Sequence, residues 1–179
     1  MSRPPERADA LVRVTEVTAE DLAALVRAAR PALRPWMPWA TSEYTVDSAA
    51  GFLAMAETSW ADGAAFHYAI APDGDPIGVC GLDTTIGPRG LEIGYWLHPA
   101  HTGRGHATRA TRTLIALAAT VEDVDHVEIH HDRANHPSRA IPHRLGFTLV
   151  DAEETRPIVA PGETGVGMVW RLALPVTPD

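Results

Sequence analysis

The chain has 179 residues, 45% hydrophobic and 21% charged, which is apolar enough for one packed domain and too short for two comfortable ones. Its formal net charge is −8, and all 15 basic residues are arginines. That excludes chemistry that needs a lysine, such as a Walker A loop or a Schiff base, and argues against a broad nucleic-acid footprint or a polybasic membrane patch. The lone cysteine, Cys80, sits in the apolar run 77–82 and is expected as a buried strand thiol without a disulfide partner. The N-terminal residues lack the apolar stretch of a signal peptide. The longest apolar-rich run, 114–121, falls far short of the ~20 residues needed to span a bilayer, so a cytoplasmic protein is expected.

In chain order, residues 1–10 read as a flexible tail and 11–14 as a first alternating strand. Thr18 is expected to cap a helix carrying Leu22, Leu25 and Val26 on one face, with Asp21 at its third position; Pro31, Pro35 and Pro38 break the stretch after it. A second helix is expected from about 47 to 60. Strands 65–71, 77–85 and 91–97 come next, joined by Pro-Asp-Gly-Asp-Pro and Gly-Pro-Arg-Gly turns, so this part of the sheet is antiparallel. From 107 to 121, Ala107, Thr111, Leu114, Ala118 and Val121 recur at helical spacing. Strand 126–131, a short helix 136–145, strand 147–150, a Pro/Gly-rich connection 156–165 and strand 168–174 complete one α/β domain over 11–174, leaving a C-terminal tail at 175–179.

The segment joining strand 91–97 to the long helix contains Thr102-Gly103-Arg104-Gly105-His106-Ala107. A strand, a Gly-rich turn and a helix N-terminus in that order present free backbone N–H groups and the positive end of a helix dipole to an anion. Gly103 and Gly105 permit positive φ, and Arg104, Arg109 and Arg112 can add cationic donors. A dinucleotide fingerprint would need Gly or Ala where Thr108 stands.

Gly-Arg-Gly-His-Ala-Thr, preceded by Glu-Ile-Gly-Tyr-Trp-Leu, resembles the acyl-CoA signature of the GNAT superfamily of N-acyltransferases. The resemblance continues at Asn135-His136-Pro137-Ser138 and Arg144-Leu145-Gly146-Phe147. Leu33-Arg34-Pro35-Trp36-Met37-Pro38-Trp39 and Trp170-Arg171-Leu172 are similar to the branch containing the ribosomal-protein N-terminal acetyltransferases. The resemblance implies a mixed, mostly antiparallel sheet of about six or seven strands with about four helices, whose central strand pair splays to admit acetyl-CoA. It implies coenzyme contacts from Trp96, Leu97, His98, Thr102, Gly103, Arg104, Gly105, His106, Ala107, Thr108, Asn135, Ser138 and Arg139, with Thr102 departing from the usual Gln or Arg. Gly94 is a plausible bulge in the splayed pair.

The activity implied is direct transfer of an acetyl group to a primary amine, either a protein or peptide N-terminus or a small molecule. The alternative is a non-catalytic acyl-CoA-binding module. Glu92 is the leading general base, with His130, His131 or water as alternatives. Many relatives place a Tyr acid where this chain has Pro142, so Ser138, which matches the Asn-x-x-Ser pattern, is assigned to the leaving thiol. Trp36, Trp39 and His130 are expected at the acceptor, although the two tryptophans read equally well as a packing wedge. Five histidines fall between 126 and 143, but His126 and His130 lie ~13 Å apart along a strand and His130 and His131 face opposite ways. No metal is expected. Relatives of this kind are often homodimers, and the same is expected here.

Overall fold

The computed structural model describes residues 3–40, 42–153 and 156–175. Its elements run β1 (Arg7–Ala8), β2 (Leu11–Arg13), α1 (Ala19–Leu33), α2 (Val46–Asp62), β3 (Ala65–Ile70), β4 (Gly78–Asp83), β5 (Gly90–Leu97), α3 (His106–Ala118), β6 (His126–Asp132), α4 (His136–Arg144), β7 (Thr148–Glu153) and β8 (Gly167–Ala173). The strands form one eight-stranded sheet in the order β1-β2-β3-β4-β5-β6-β8-β7. The strand beyond the expected seven is β1, formed inside the expected tail. Arg7 pairs with Val12, and Tyr68 donates to the Pro5 carbonyl at 2.8 Å, so residues 5–8 are tied to the sheet. Of the expected C-terminal tail, residues 176–179 lie outside the described residues.

Local chemistry sets the helix ends. The Thr18 hydroxyl accepts from the Asp21 N–H at 3.1 Å, as expected, and Thr45 and Ser48 cap α2 reciprocally. Gly63, at φ 71°, ends α2 in the left-handed conformation. Pro31 does not end α1, which continues to Leu33. It removes one hydrogen bond in the last turn, but the apolar stripe Leu22, Val26, Ala29 and Leu33 is buried across it, and that burial outweighs the lost bond.

Strand alternation divides the core between the two sheet faces. Phe66, Tyr68, Ile70, Cys80, Leu82, Leu91, Ile93, Val127 and Ile129 pack with Leu114, Leu117 and Ala118 of α3. On the other face Val79 and Trp96 pack with Leu22, Val26 and Ala56 of α1 and α2. Cys80 is buried as expected, and burial pushes its thiol pKa far up, so it stays protonated.

One junction differs from the rest. β5 and β6 are the parallel neighbours, and they pair only at Gly90↔His126, Leu91↔Val127 and Glu92↔Glu128. Beyond that point β5 runs on to Leu97 and β6 to Asp132 without pairing to each other, which is the splay that the resemblance implies. Gly94 is not a bulge: the β4–β5 register runs unbroken from Gly78↔Leu97 to Asp83↔Glu92. A Cβ at Gly94 would meet nothing within 4 Å, so its lack of a side chain keeps the open gap clear.

Candidate active site

The gap leads into a cavity of about 920 Å³ lined from both faces of the sheet. On one side stand the turn after β5, the first residues of α3, and Pro137, Ser138, Ile141 and Arg144 of α4. On the other stand Leu33, Trp36, Met37, Glu92, Trp96 and His130. The cavity therefore passes through the sheet, and a molecule held on the α3–α4 side can present its end to a second molecule on the α1 side.

Backbone geometry supplies the edges of this passage. The His98 N–H donates to the Ile77 carbonyl at 2.8 Å. Alternation along an antiparallel pair then turns the N–H and C=O groups of Gly94 and Trp96 toward β4 and those of Ile93, Tyr95 and Leu97 into the gap. Those unpaired groups can take an extended amide-bearing chain as an added strand would. At the far end, Gly103 and Gly105 sit at φ 73° and 79°, as their positions in the turn predict, and no side chain caps α3. The N–H groups of its first turn thus remain for a ligand, and Thr102, Gly103, Gly105, His106, Ala107 and Thr108 line the cavity.

The cationic donors differ from expectation. Arg104 is exposed and absent from the lining, while Arg109 is spent on its own turn, reaching the Arg104 carbonyl and His106 Nδ1 at 2.9 Å. On this side the guanidinium at the cavity is that of Arg144, which also donates to the Thr108 hydroxyl at 3.1 Å. Burial and then the neighbouring arginines, Arg109 first, hold the His106 pKa below its ordinary value. Of the other expected coenzyme residues, His98 uses Nδ1 to accept from the Ala100 N–H, and Arg139 is exposed; neither lines the cavity. The Thr102 hydroxyl is tied to the Pro99 carbonyl at 2.8 Å.

Ser138 and Asn135 do line it. Asn135, not Ser138, caps α4, its side chain accepting from the Ser138 N–H at 3.2 Å. The Ser138 hydroxyl is thereby left for another task. It lies 3.1 Å from the hydroxyl of Tyr95, which also reaches the Ser138 carbonyl at 3.1 Å. The sequence gives no separate signal for Tyr95, although alternation on β5 already sets it on the face opposite Glu92. Burial pushes its pKa up to about 12, so it remains a neutral donor.

On the acceptor side, Glu92 receives the Thr85 hydroxyl on Oε2 at 2.8 Å and turns Oε1 toward His130 Nδ1, 3.9 Å away. Trp36 lines the cavity, whereas Trp39 does not. Trp39 packs against Tyr44 and Trp96, whose ring centroids lie 5.9 and 6.1 Å from its own, and remains exposed on its outer side. His131 points to the other face, stacked on Trp170 and accepting its indole N–H at 2.9 Å. The 156–165 loop closes this side: Arg156, Pro157, Val159 and Glu163 line the cavity, and the Gly162 N–H donates to the Pro35 carbonyl at 2.8 Å. Asp132 anchors the loop by accepting from Thr164 N, Thr164 Oγ1 and Gly165 N within 3.1 Å. No group of three or more His, Cys, Asp or Glu among the described residues is arranged to hold a metal, and no described helix is long and apolar enough to cross a membrane.

Two parallel strands thus part beside a glycine-led helix that no side chain caps. The chain belongs to the acetyltransferase (GNAT) domain family, whose model matches residues 12–148. It is 41% identical over 59 residues to YdaF of Bacillus subtilis (strain 168), a candidate ribosomal N-acetyltransferase by name; the match takes in 33% of this chain and 32% of that one. Among solved structures, the Microcin C7 self-immunity acetyltransferase MccE in complex with acetyl-CoA and AMP superposes with a TM-score of 0.83 at 20% identity, over 92% of this chain and 91% of that one. RimL, a ribosomal L7/L12 α-N-protein acetyltransferase in complex with coenzyme A, gives 0.82 at 18% identity, over 97% and 98%. At such identities the two structures establish the shared fold.

Proposed function

We propose that the protein is an acetyl-CoA-dependent N-acetyltransferase that moves an acetyl group directly to a primary amine, either a protein or peptide N-terminus or a small-molecule amine. The observation that carries this reading is the passage through the sheet. Backbone donors and an uncapped helix lie at its coenzyme side, and a carboxylate and an imidazole lie at the other.

The uncapped turn of α3 with Arg144 receives the diphosphate, and the free edges of β5 and β6 receive the pantetheine amides. The thioester carbonyl then lies against the N–H groups that β5 turns into the gap, where Leu97 N–H is placed to stabilise an oxyanion. An acceptor amine enters between Trp36, Met37 and the 156–165 loop, with Glu92 and His130 before it. The Ser138 hydroxyl, held by Tyr95, faces the leaving sulfur. The likeness to YdaF and RimL supports a protein N-terminus as acceptor.

The test is thiol release from acetyl-CoA with a panel of peptide N-termini and small amines. Acetyl-CoA should raise the melting temperature, and at least one amine should release thiol. Stabilisation by acetyl-CoA with no release across the panel would leave a binding module in place of the enzyme, and no stabilisation would refute both.

A further inference from the structure

Glu128 is charged, and its side chain is only 5% exposed, on the strand that forms one wall of the gap. It does not line the cavity, and the acetyl transfer proposed above assigns it nothing. Its two oxygens are hydrogen-bonded to Arg171 and His130, and His126 Nε2 lies 4.0 Å from Oε1. Oε1 takes the Arg171 guanidinium, with Nε at 2.7 Å, and Oε2 lies 2.6 Å from His130 Nε2. Burial works against its ionisation, but the bonds from His130 and Arg171 outweigh it and hold the carboxyl below the usual range. A carboxylate can only accept, so the neutral imidazole carries its hydrogen on Nε2 and presents a lone pair at Nδ1. Nδ1 faces the cavity opposite Glu92 Oε1 at 3.9 Å. Two acceptors have no hydrogen to share between them, but a single donor group can contact both.

We infer that Glu128 is a positioning residue that fixes His130 as the base, and that the acceptor's ammonium docks between His130 Nδ1 and Glu92 Oε1. This assignment rests on the acetyltransferase reading, and it moves the base role from Glu92 to His130. Glu92 draws the cation by charge, its other oxygen already held by Thr85. One ammonium proton passes to His130 Nδ1, and the resulting imidazolium is stabilised through Nε2–H by Glu128. The freed nitrogen lone pair forms the C–N bond to the thioester carbon, and the carbonyl π pair moves to oxygen. Collapse of this adduct breaks the C–S bond, and the sulfur leaves with that pair. Sulfur then takes the Ser138 hydroxyl proton, which is replaced by the second proton from nitrogen. The products are the amide and the free thiol, and the proton on His130 returns to water.

The experiment compares wild type with Glu128→Gln and Glu128→Asp in thiol-release kinetics, and reads the His130 tautomer by long-range ¹H–¹⁵N NMR. Wild type should show hydrogen on Nε2. Glu128→Gln can donate to that nitrogen, so it should move the hydrogen to Nδ1 and lower kcat about a hundredfold, a typical general-base contribution. The acetyl-CoA KM should stay within about twofold, since Glu128 lies away from the coenzyme side, and Glu128→Asp should recover part of kcat; a residue that only stabilises the fold would not move the tautomer. An active wild type with kcat retained in Glu128→Gln overturns this assignment and leaves the acetyltransferase reading standing. A wild type that releases no thiol overturns both. Should Glu128→Gln fail to fold, the wild-type tautomer decides, and hydrogen on Nδ1 overturns the assignment.

Discussion

The contact between Tyr95 and Ser138 can be tested as a pair. The phenol has one proton and two neighbours at 3.1 Å, the Ser138 carbonyl and the Ser138 hydroxyl. A carbonyl can only accept, so Tyr95 donates to it and accepts from the hydroxyl, which points the serine proton at the phenol oxygen until a thiolate forms. Tyr95→Phe removes both bonds but leaves the carbonyl able to hydrate through the cavity, so the cost should be about 1 kcal/mol, a typical net hydrogen bond. For a chain of this size that corresponds to a melting-temperature drop of about 2–4 °C. Ser138→Ala removes only the hydroxyl bond and should cost less stability but more turnover. In a double-mutant cycle on kcat the two losses should be markedly non-additive, because Tyr95 acts only through Ser138. Thermal melts and thiol-release assays on the four proteins provide the numbers. Additive losses in kcat, or full turnover in Ser138→Ala, would refute the proton path through this hydroxyl.

Gly105→Ala places a side chain at φ 79°, with its Cβ 3.4 Å from the Arg109 guanidinium. The strain of about 1–2 kcal/mol should distort the first turn of α3 and weaken coenzyme A binding about tenfold by calorimetry; unchanged affinity would remove this turn from the site. Gly162→Ala would bring a Cβ to 2.7 Å from both Cβ and O of Pro35, so the loop must lift from the end of α1. The acceptor KM should rise several-fold while the acetyl-CoA KM holds, and a rise in the latter alone would contradict the division between the two sides. His131→Gln should reduce the sensitivity of stability to mild acid. Burial, and then nearby cations, lower the folded-state pKa of His131 below the ordinary 6.5, so as pH falls the unfolded chain binds this proton first. The contribution of His131 is complete above the unfolded value and is lost as pH falls through the folded one; urea melts at pH 7.5 and 5.5 that lose equal stability in both proteins would refute this.

The sequence shows periodicity and punctuation, and its legible share of this fold came through those two. The two hairpins of β3–β5 were legible because Pro-Asp-Gly-Asp-Pro and Gly-Pro-Arg-Gly stop the strands, and α3 because its apolar residues recur every three or four. The positive φ at Gly103 and Gly105 reflects the demands of a tight strand-to-helix turn. β1 escaped because two residues carry no period, and the persistence of α1 past Pro31 depends on the burial of Ala29 and Leu33 in a cluster with Met37, Ala40 and the distant Trp96.

The site divides along the same line. Period-two alternation separates Glu92 from Tyr95 and His130 from His131, but it does not say which face meets which helix. Tyr95 meets Ser138 across 43 residues, Glu128 meets Arg171 across another 43, and Arg144, in place of Arg104, reaches the cavity from a different helix. Glu128 and Arg171 face each other in the β6–β8 ladder, whereas Tyr95 and Arg144 reach the cavity because two strands part after Glu92 and Glu128 and let the two faces of one sheet share it. A local pattern cannot encode that parting, since it comes from the failure of two distant segments to pair. The chemistry that spans the gap is therefore legible only once the strands are set side by side.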